Sequence, residues 1–180
     1  NGASITAIKN GQCIDTSMGL TPLEGLIMGT RCGSIDPSIP LYLMENLGLS
    51  TRECNQILNK ESGMKGLSGI SHDMRDIEEA MEQGNARAIQ AYDAYVYSIV
   101  KHIGAYVAAL GGLDCLIFTA GIGENSPLLR SKICAKLGYM QLFIDETKNY
   151  DRIKEKDFST PESKVQVWTI PTDEELMIAR

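Results

Sequence analysis

The sequence predicts an α/β domain, and three observations carry that expectation. First, Cys115-Leu116-Ile117-Phe118-Thr119 is a short apolar run followed by Gly121-Ile122-Gly123-Glu124-Asn125 and then by Ser126-Pro127. A run this brief suits a buried parallel strand, and Ser-Pro is a strong N-cap and first-position pair for the helix after the glycine loop, which reads to about Leu137. Second, Ala88, Tyr92, Tyr95, Ile99, Ile103, Tyr106 and Leu110 recur in steps of three and four. They mark one face of a helix over residues 85–110, about 39 Å long at 1.5 Å per residue. Third, Asn10-Gly11 lies between two short β-capable runs, residues 4–8 and 12–15. Both turn residues tolerate positive φ, so the opening is expected to be a two-residue hairpin.

The remaining elements follow in order. Thr21-Pro22-Leu23-Glu24 has the form of a capping box with Pro at the first helical position, and Asp36-Pro37 and Ser50-Thr51-Arg52-Glu53 repeat such start signals, so two or three short helices are expected. Residues 62–69, Ser-Gly-Met-Lys-Gly-Leu-Ser-Gly, read as a mobile or ligand-contacting loop. Asp73 is then placed to cap a helix running to about Gly84. Near the end, residues 165–170 read as a last strand, and Thr172-Asp173-Glu174-Glu175 as the capping box of a final helix.

Composition bounds the function. The chain has 180 residues, 43% hydrophobic and 22% charged, which describes a folded domain and excludes disordered or collagen-like chains. Seventeen Lys+Arg against 23 Asp+Glu leave a net charge of −6, which argues against nucleic acid or an anionic membrane as partner. The longest uncharged apolar stretch, residues 103–113, falls well short of the roughly 20 residues a bilayer span needs. Five cysteines without CxxC spacing fit a reducing, cytoplasmic setting. The opening Asn1-Gly2-Ala3-Ser4 has no initiator Met and no signal-peptide pattern, so the expectation is a fragment without a leader.

Several residues could carry chemistry. In Gly121-Ile122-Gly123-Glu124-Asn125 the glycines let a backbone approach a ligand, and amides at a following helix start attract anions. The last Gly of GxGxxG and the Lys of a P-loop are missing, which disfavours both the dinucleotide fold and a Walker loop. An ordinary tight turn explains the run equally well. Arg31, among the small residues of Gly29-Thr30-Arg31-Cys32-Gly33, could project into a cleft and stabilise a transferring phosphoryl group, or lie on the surface. Asp73 and Arg75 could contact a nucleoside, or serve as N-cap and solvated cation. Glu174 could hold Mg²⁺, although a Glu in a first helical turn also follows from the helix dipole. His72 and His102 are not spaced as metal ligands.

The order of these pieces is more specific than any one of them. Asn1 to Ser4, Asp15-Thr16-Ser17-Met18-Gly19, Thr21 to Gly25, Met28-Gly29-Thr30-Arg31, Asp73-Met74-Arg75, Gly121 to Asn125 and Pro171 to Leu176 together resemble the acetate kinase family across essentially the whole chain. The resemblance implies an actin, sugar-kinase and Hsp70-like (ribonuclease H-like) fold. Residues 1–180 would form the C-terminal nucleotide-binding and dimerisation domain of a two-domain kinase. Asn1 and Gly2 match the end of a His-x-Gly-x-Gly phosphate turn. Asp73, Met74 and Arg75, with Gly121, Ile122, Gly123, Glu124 and Asn125, match nucleotide-binding segments. Arg31 matches the transition-state arginine and Glu174 the Mg²⁺-associated glutamate, with Mn²⁺ as the alternative metal. Asp173 stands where the family often has Asn, and Ala120 where a third glycine is common.

The implied reaction is reversible phosphoryl transfer between ATP and acetate, giving ADP and acetyl phosphate. The implied partners are the enzyme's own N-terminal domain and a second copy in a homodimer, and the implied place is the cytoplasm. The fragment alone is expected to be inactive. The rival expectations are a propionate or butyrate kinase of the same superfamily, and a non-catalytic nucleotide-binding or dimerisation module.

Overall fold

The computed structural model describes residues 2–173 and Ala179. The chain divides into two compact units, Asn1–Tyr106 and Val107–Arg180.

The first unit opens with a hairpin of β1 (Thr6–Lys9) and β2 (Gln12–Thr16), paired antiparallel with a bulge between Ala7 and Ile8. Asn10 and Gly11 have φ of 53° and 75°, the paired left-handed conformation that matches strand twist and that the Asn-Gly pattern predicts. Helices α1 (Ser38–Leu47), α2 (Thr51–Gln56), α3 (Gly63–Ser68), α4 (Met74–Glu82) and α5 (Ala86–Leu110) follow, the last running past the unit's end at Tyr106, with a π-helical turn at Ile57–Glu61. The start signals at Asp36-Pro37 and Ser50 both operate. Asp36 accepts the Ser38 amide at 2.8 Å, and Ser50 and Glu53 form the reciprocal capping box. The apolar face of α5 is buried at Ala88, Tyr92, Tyr95, Ile99 and Ile103, while Tyr106 and Leu110 are only half-buried.

Two expectations for this unit are corrected. No helix forms at Thr21-Pro22-Leu23-Glu24. Thr21 Oγ1 accepts the Leu23 amide at 3.3 Å as a local turn, and the Glu24 carboxylate packs against Gly19 instead of completing a capping box. Gly25 then has a φ of 104°, through which a right-handed helix cannot propagate, and it is cross-bonded to Ser34 by N–H to Oγ at 3.1 Å and O to N–H at 2.9 Å. The glycine-rich residues 62–69 are not a loop; they form α3, with Gly63, Met64 and Ser68 buried. Packing against neighbouring backbone outweighs the low helix propensity of glycine.

In the second unit, β3 (Cys115–Phe118) pairs parallel with β5 (Gln166–Thr169), which pairs antiparallel with β4 (Lys156–Asp157), giving the order β3-β5-β4. Both predicted strands are present. The glycine segment after β3 is a short helix, α6 (Ala120–Asn125), where a loop is expected from the sequence. Helix α7 (Pro127–Cys134) starts as predicted, with Ser126 Oγ accepting the Leu129 amide at 3.2 Å, and stops three residues before Leu137. A single 3₁₀ turn at Gly138–Met140 and helix α8 (Glu146–Tyr150) complete the unit. Phe118, Leu129, Ile133, Phe158 and Val167 are among its buried side chains. The predicted final helix and its Glu174 lie outside the described residues, as does Asn1.

Candidate functional site

Arg31 sits on residues 28–32, a segment without regular structure that is held by residues 58–65, distant in the sequence. The Met64 and Lys65 amides at the start of α3 donate to Met28 and Gly29 oxygens at 2.8 and 2.9 Å. Ser62 N–H donates to Thr30 O, and Cys32 N–H to Leu58 O, both at 3.0 Å. Thr30 Oγ1 adds a bond to Asn59 O at 2.9 Å. Three amides at the start of α3, those of Ser62, Met64 and Lys65, which a helix start leaves without intrahelical partners, here grip the arginine-bearing segment. Gly63 makes this approach possible: its φ is 60°, and a Cβ there would overlap Met28 O.

The Arg31 side chain is half-buried. Its Nη1 donates to Pro22 O at 3.3 Å and meets Met28 Sδ at 3.6 Å, and a Cβ on Gly2 would lie 3.5 Å from the same nitrogen. Two of the predicted residues, Gly2 and Arg31, are thereby brought together. Among the described residues no carboxylate lies within ion-pair distance of Arg31, so its permanent charge stays available to an anion. A cavity of about 350 Å³ opens on the same loop, lined among others by Leu23, Cys32, Pro40 and Leu58. Burial pushes the Cys32 thiol up from its usual pKa.

Asp73 and Arg75 meet each other. Asp73 caps α4 by accepting the Arg75 amide at 2.9 Å, and its two oxygens also take Arg75 Nε at 3.0 Å and Nη2 at 2.5 Å. Those hydrogen bonds, the side-chain ones foremost, hold the Asp73 carboxyl far below the usual carboxylate range. The arginine side chain is 88% exposed, and Met74 is half-buried between the two.

In the second unit Gly121 and Asn125 are exposed, Ile122 and Glu124 half-buried and Gly123 buried. A Cβ on Gly123 would stand 3.3 Å from the Phe118 carbonyl carbon, so this glycine lets α6 lie against β3. Among the described residues nothing lies within 4 Å of a Cβ on Gly121, so their packing does not require glycine there. Asn125 Nδ2 donates to Gly121 O at 2.7 Å, and the Glu124 carboxylate accepts the Thr172 amide at 3.0 Å. The second of these ties α6 to the segment that leads to Glu174.

Sequence reasoning missed Arg130, which is 1% exposed and donates to the carbonyls of Gly123 and Glu124 at 2.8 Å each. A lone arginine on a short helix carries no pattern of its own, and its acceptors come from residues 6, 7 and 19 positions away. Among the described residues no group of three or more His, Cys, Asp or Glu could hold a metal ion, and no helix is long and apolar enough to cross a membrane.

Comparison with known proteins agrees with the resemblance seen in the sequence. The chain is 60% identical over 180 residues to the acetate kinase of Dictyoglomus thermophilum, and 53% identical over 183 residues to that of Thermotoga maritima. All of this chain is covered in both cases, but only 45% of each relative, so the chain spans a little under half the length of the curated relatives it matches. Among solved structures, Porphyromonas gingivalis acetate kinase superposes with a TM-score of 0.95 at 50% identity, covering 99% of this chain and 45% of that one. A propionate kinase from Francisella tularensis superposes with a TM-score of 0.93 at 44% identity, covering 99% and 46%. These neighbours identify the fold as an α/β domain of the actin, sugar-kinase and Hsp70 type. The acetokinase family model matches residues 1–180, and with full coverage at this identity the chain belongs to the acetokinase family.

Proposed function

We propose that residues 1–180 are the C-terminal nucleotide-binding and dimerisation domain of an acetate kinase, a cytoplasmic homodimer that transfers phosphoryl between ATP and acetate. The observation that carries this reading is the family match over the whole chain, with acetate kinases 53–60% identical along its full length.

In the forward direction an acetate oxygen attacks the γ-phosphorus in line, the bond to the β–γ bridging oxygen breaks, and ADP leaves with that electron pair. Catalysis of this kind is positioning and charge stabilisation rather than covalent chemistry. Arg31 supplies charge: its guanidinium is unpaired by any described carboxylate and rides on a segment anchored by the start of α3. Gly2, next to Arg31, belongs with Asn1 to the phosphate turn. Asp73, Met74 and Arg75 contact the nucleoside; Asp73 holds Arg75 in one orientation, which limits the entropy lost on binding. At 121–125 the open space around Gly121 admits close approach of the nucleotide to backbone.

Mg²⁺ would be held by Glu174 together with phosphate oxygens, and when bound it neutralises charge on the β- and γ-phosphates. Such a cation takes one or two carboxylates and keeps phosphate and water ligands, so a single glutamate suffices on the protein side. The rest of the carboxylate site belongs to the enzyme's N-terminal domain.

The test is ATP-dependent acyl phosphate formation by the full-length protein, trapped with hydroxylamine, across acetate, propionate and butyrate. Preference for acetate is expected. Preference for propionate, the substrate named for the Francisella tularensis relative, would move the assignment within the family. No product from any of the three would leave a nucleotide-binding or dimerisation module. Arg31→Ala is expected to lower kcat by about 10³-fold, the lower range for a transition-state arginine, with nucleotide affinity little changed. Unchanged turnover would remove its role.

A further inference from the structure

Arg130 is a buried cation with an unusual set of partners. Nη1 donates to Gly123 O and Glu124 O at 2.8 Å each, Nε to Asn149 Oδ1 at 2.7 Å and Nη2 to Asn149 O at 2.8 Å, and the guanidinium carbon lies 5.5 Å from the Phe158 ring centroid. All of these hydrogen-bond acceptors are neutral. Stability alone does not explain a charge in this position, because replacing buried ions with apolar groups of similar volume is often neutral or stabilising. What the guanidinium adds is a rigid plane of donors, which fixes the directions of several acceptors at once.

Two of those acceptors matter for α6. The last carbonyls of a helix have no intrahelical donor, and a six-residue helix is too short to persist on its own bonds. Here each carbonyl from 121 to 124 is met: Gly121 O by Asn125 Nδ2 at 2.7 Å, Ile122 O by Ser126 N–H at 3.1 Å, and Gly123 O and Glu124 O by Arg130. Arg130 is in turn fixed from behind. Asn149 is fully buried and donates through Nδ2 to Pro127 O at 3.0 Å and Ser131 Oγ at 2.8 Å. Lys156 Nζ donates to the same Asn149 oxygen that Arg130 Nη2 uses, at 3.1 Å.

We propose that Arg130 is a positioning residue for nucleotide binding: anchored by Asn149, it holds the Gly123 and Glu124 carbonyls and so keeps residues 121–125 in the shape that receives the nucleotide. This rests on the reading of 121–125 as a nucleotide-binding segment. It extends that reading to a residue that itself touches no substrate, and it makes the α7–α8 network part of the nucleotide site.

The experiment uses the full-length enzyme as wild type, Arg130→Lys, Asn149→Ser and a control, Leu142→Ala, which empties a buried apolar position outside the network. Amide hydrogen exchange over residues 119–126 is read with and without ADP, alongside KM for ATP and for the acceptor carboxylate. Lysine keeps the charge but cannot span Asn149 and both carbonyls. Arg130→Lys is therefore expected to speed exchange over 121–126 at least 10-fold without nucleotide. It should raise the KM for ATP about 10-fold and leave the KM for the carboxylate within twofold. Asn149→Ser should move the same quantities in the same direction, and carries the test if Arg130→Lys does not fold. The control should lower the melting temperature without that KM split.

If ADP slows exchange over 119–126 in wild type while the variants keep wild-type exchange and KM, the positioning role is wrong and the nucleotide reading stands. An equal KM split in Leu142→Ala would also overturn the role, by reducing it to general destabilisation. If ADP leaves 119–126 unprotected in wild type, the nucleotide reading fails and the positioning role fails with it.

Discussion

At the scale of single residues, the backbone reveals a strain that the side chains do not. Ala120 has a φ of 59°, a left-handed conformation in which an L-residue's Cβ crowds its own backbone. It is the first residue of α6, after Thr119, which joins that helix to β3. Ala120→Gly is expected to stabilise the protein by about 1 kcal/mol, the size of the left-handed penalty, read as a higher urea midpoint at unchanged slope. A lower midpoint would mean that the loss of unfolded-state restriction outweighs the relief. Tyr95 and Cys134 carry a different signature. Burial pushes Tyr95 up to about 12 from 10.0, and burial together with the Glu146 charge pushes Cys134 up to about 12 from 9.0. Folded values above unfolded ones mean that the neutral forms are favoured in the fold. Their contribution is complete below the unfolded values and disappears as pH rises toward 12. The melting temperature should therefore fall between pH 9 and 12, and fall less steeply in Cys134→Ala; identical slopes would remove the assignment.

At the scale of elements, identical sequence signals have opposite outcomes, and tertiary contacts decide between them. Ser50-Thr51-Arg52-Glu53 and Thr21-Pro22-Leu23-Glu24 both read as capping boxes. Only the first starts a helix, because Gly25 and its bonds to Ser34 commit the second to a turn. Ser50→Ala should cost about 1 kcal/mol, as N-cap losses do, measured by urea unfolding. The same substitution at Thr21 should cost clearly less. Residues 62–69 reverse the expectation in the other direction: a segment with three glycines forms α3 and anchors the strand of chain that bears Arg31. Gly63→Ala would drive a Cβ into Met28 O at a φ of 60°. It should destabilise by about 3 kcal/mol, the upper range for local backbone strain, and lower kcat more than Ser50→Ala does. A variant with wild-type kcat would uncouple α3 from the Arg31 segment.

At the scale of the whole molecule, the sequence by itself determined the family, the α/β class, the hairpin, the long α5 and the two predicted strands β3 and β5. These rest on local periodicity, on turn chemistry at Asn10-Gly11 and on the order of short motifs along the chain. Each is set by residues within a few positions of one another, so it is legible in one dimension. Tertiary structure alone decided what the glycine-rich segments become, how Arg31 is held, and that Arg130 underlies residues 121–125. Those outcomes depend on carbonyls and amides brought together from distant positions: Met28 with Met64, Cys32 with Leu58, Arg130 with Asn149. Backbone hydrogen-bonding groups are alike at every residue, so the sequence does not mark which ones will meet. Only packing, which buries them and obliges them to find partners, makes that choice.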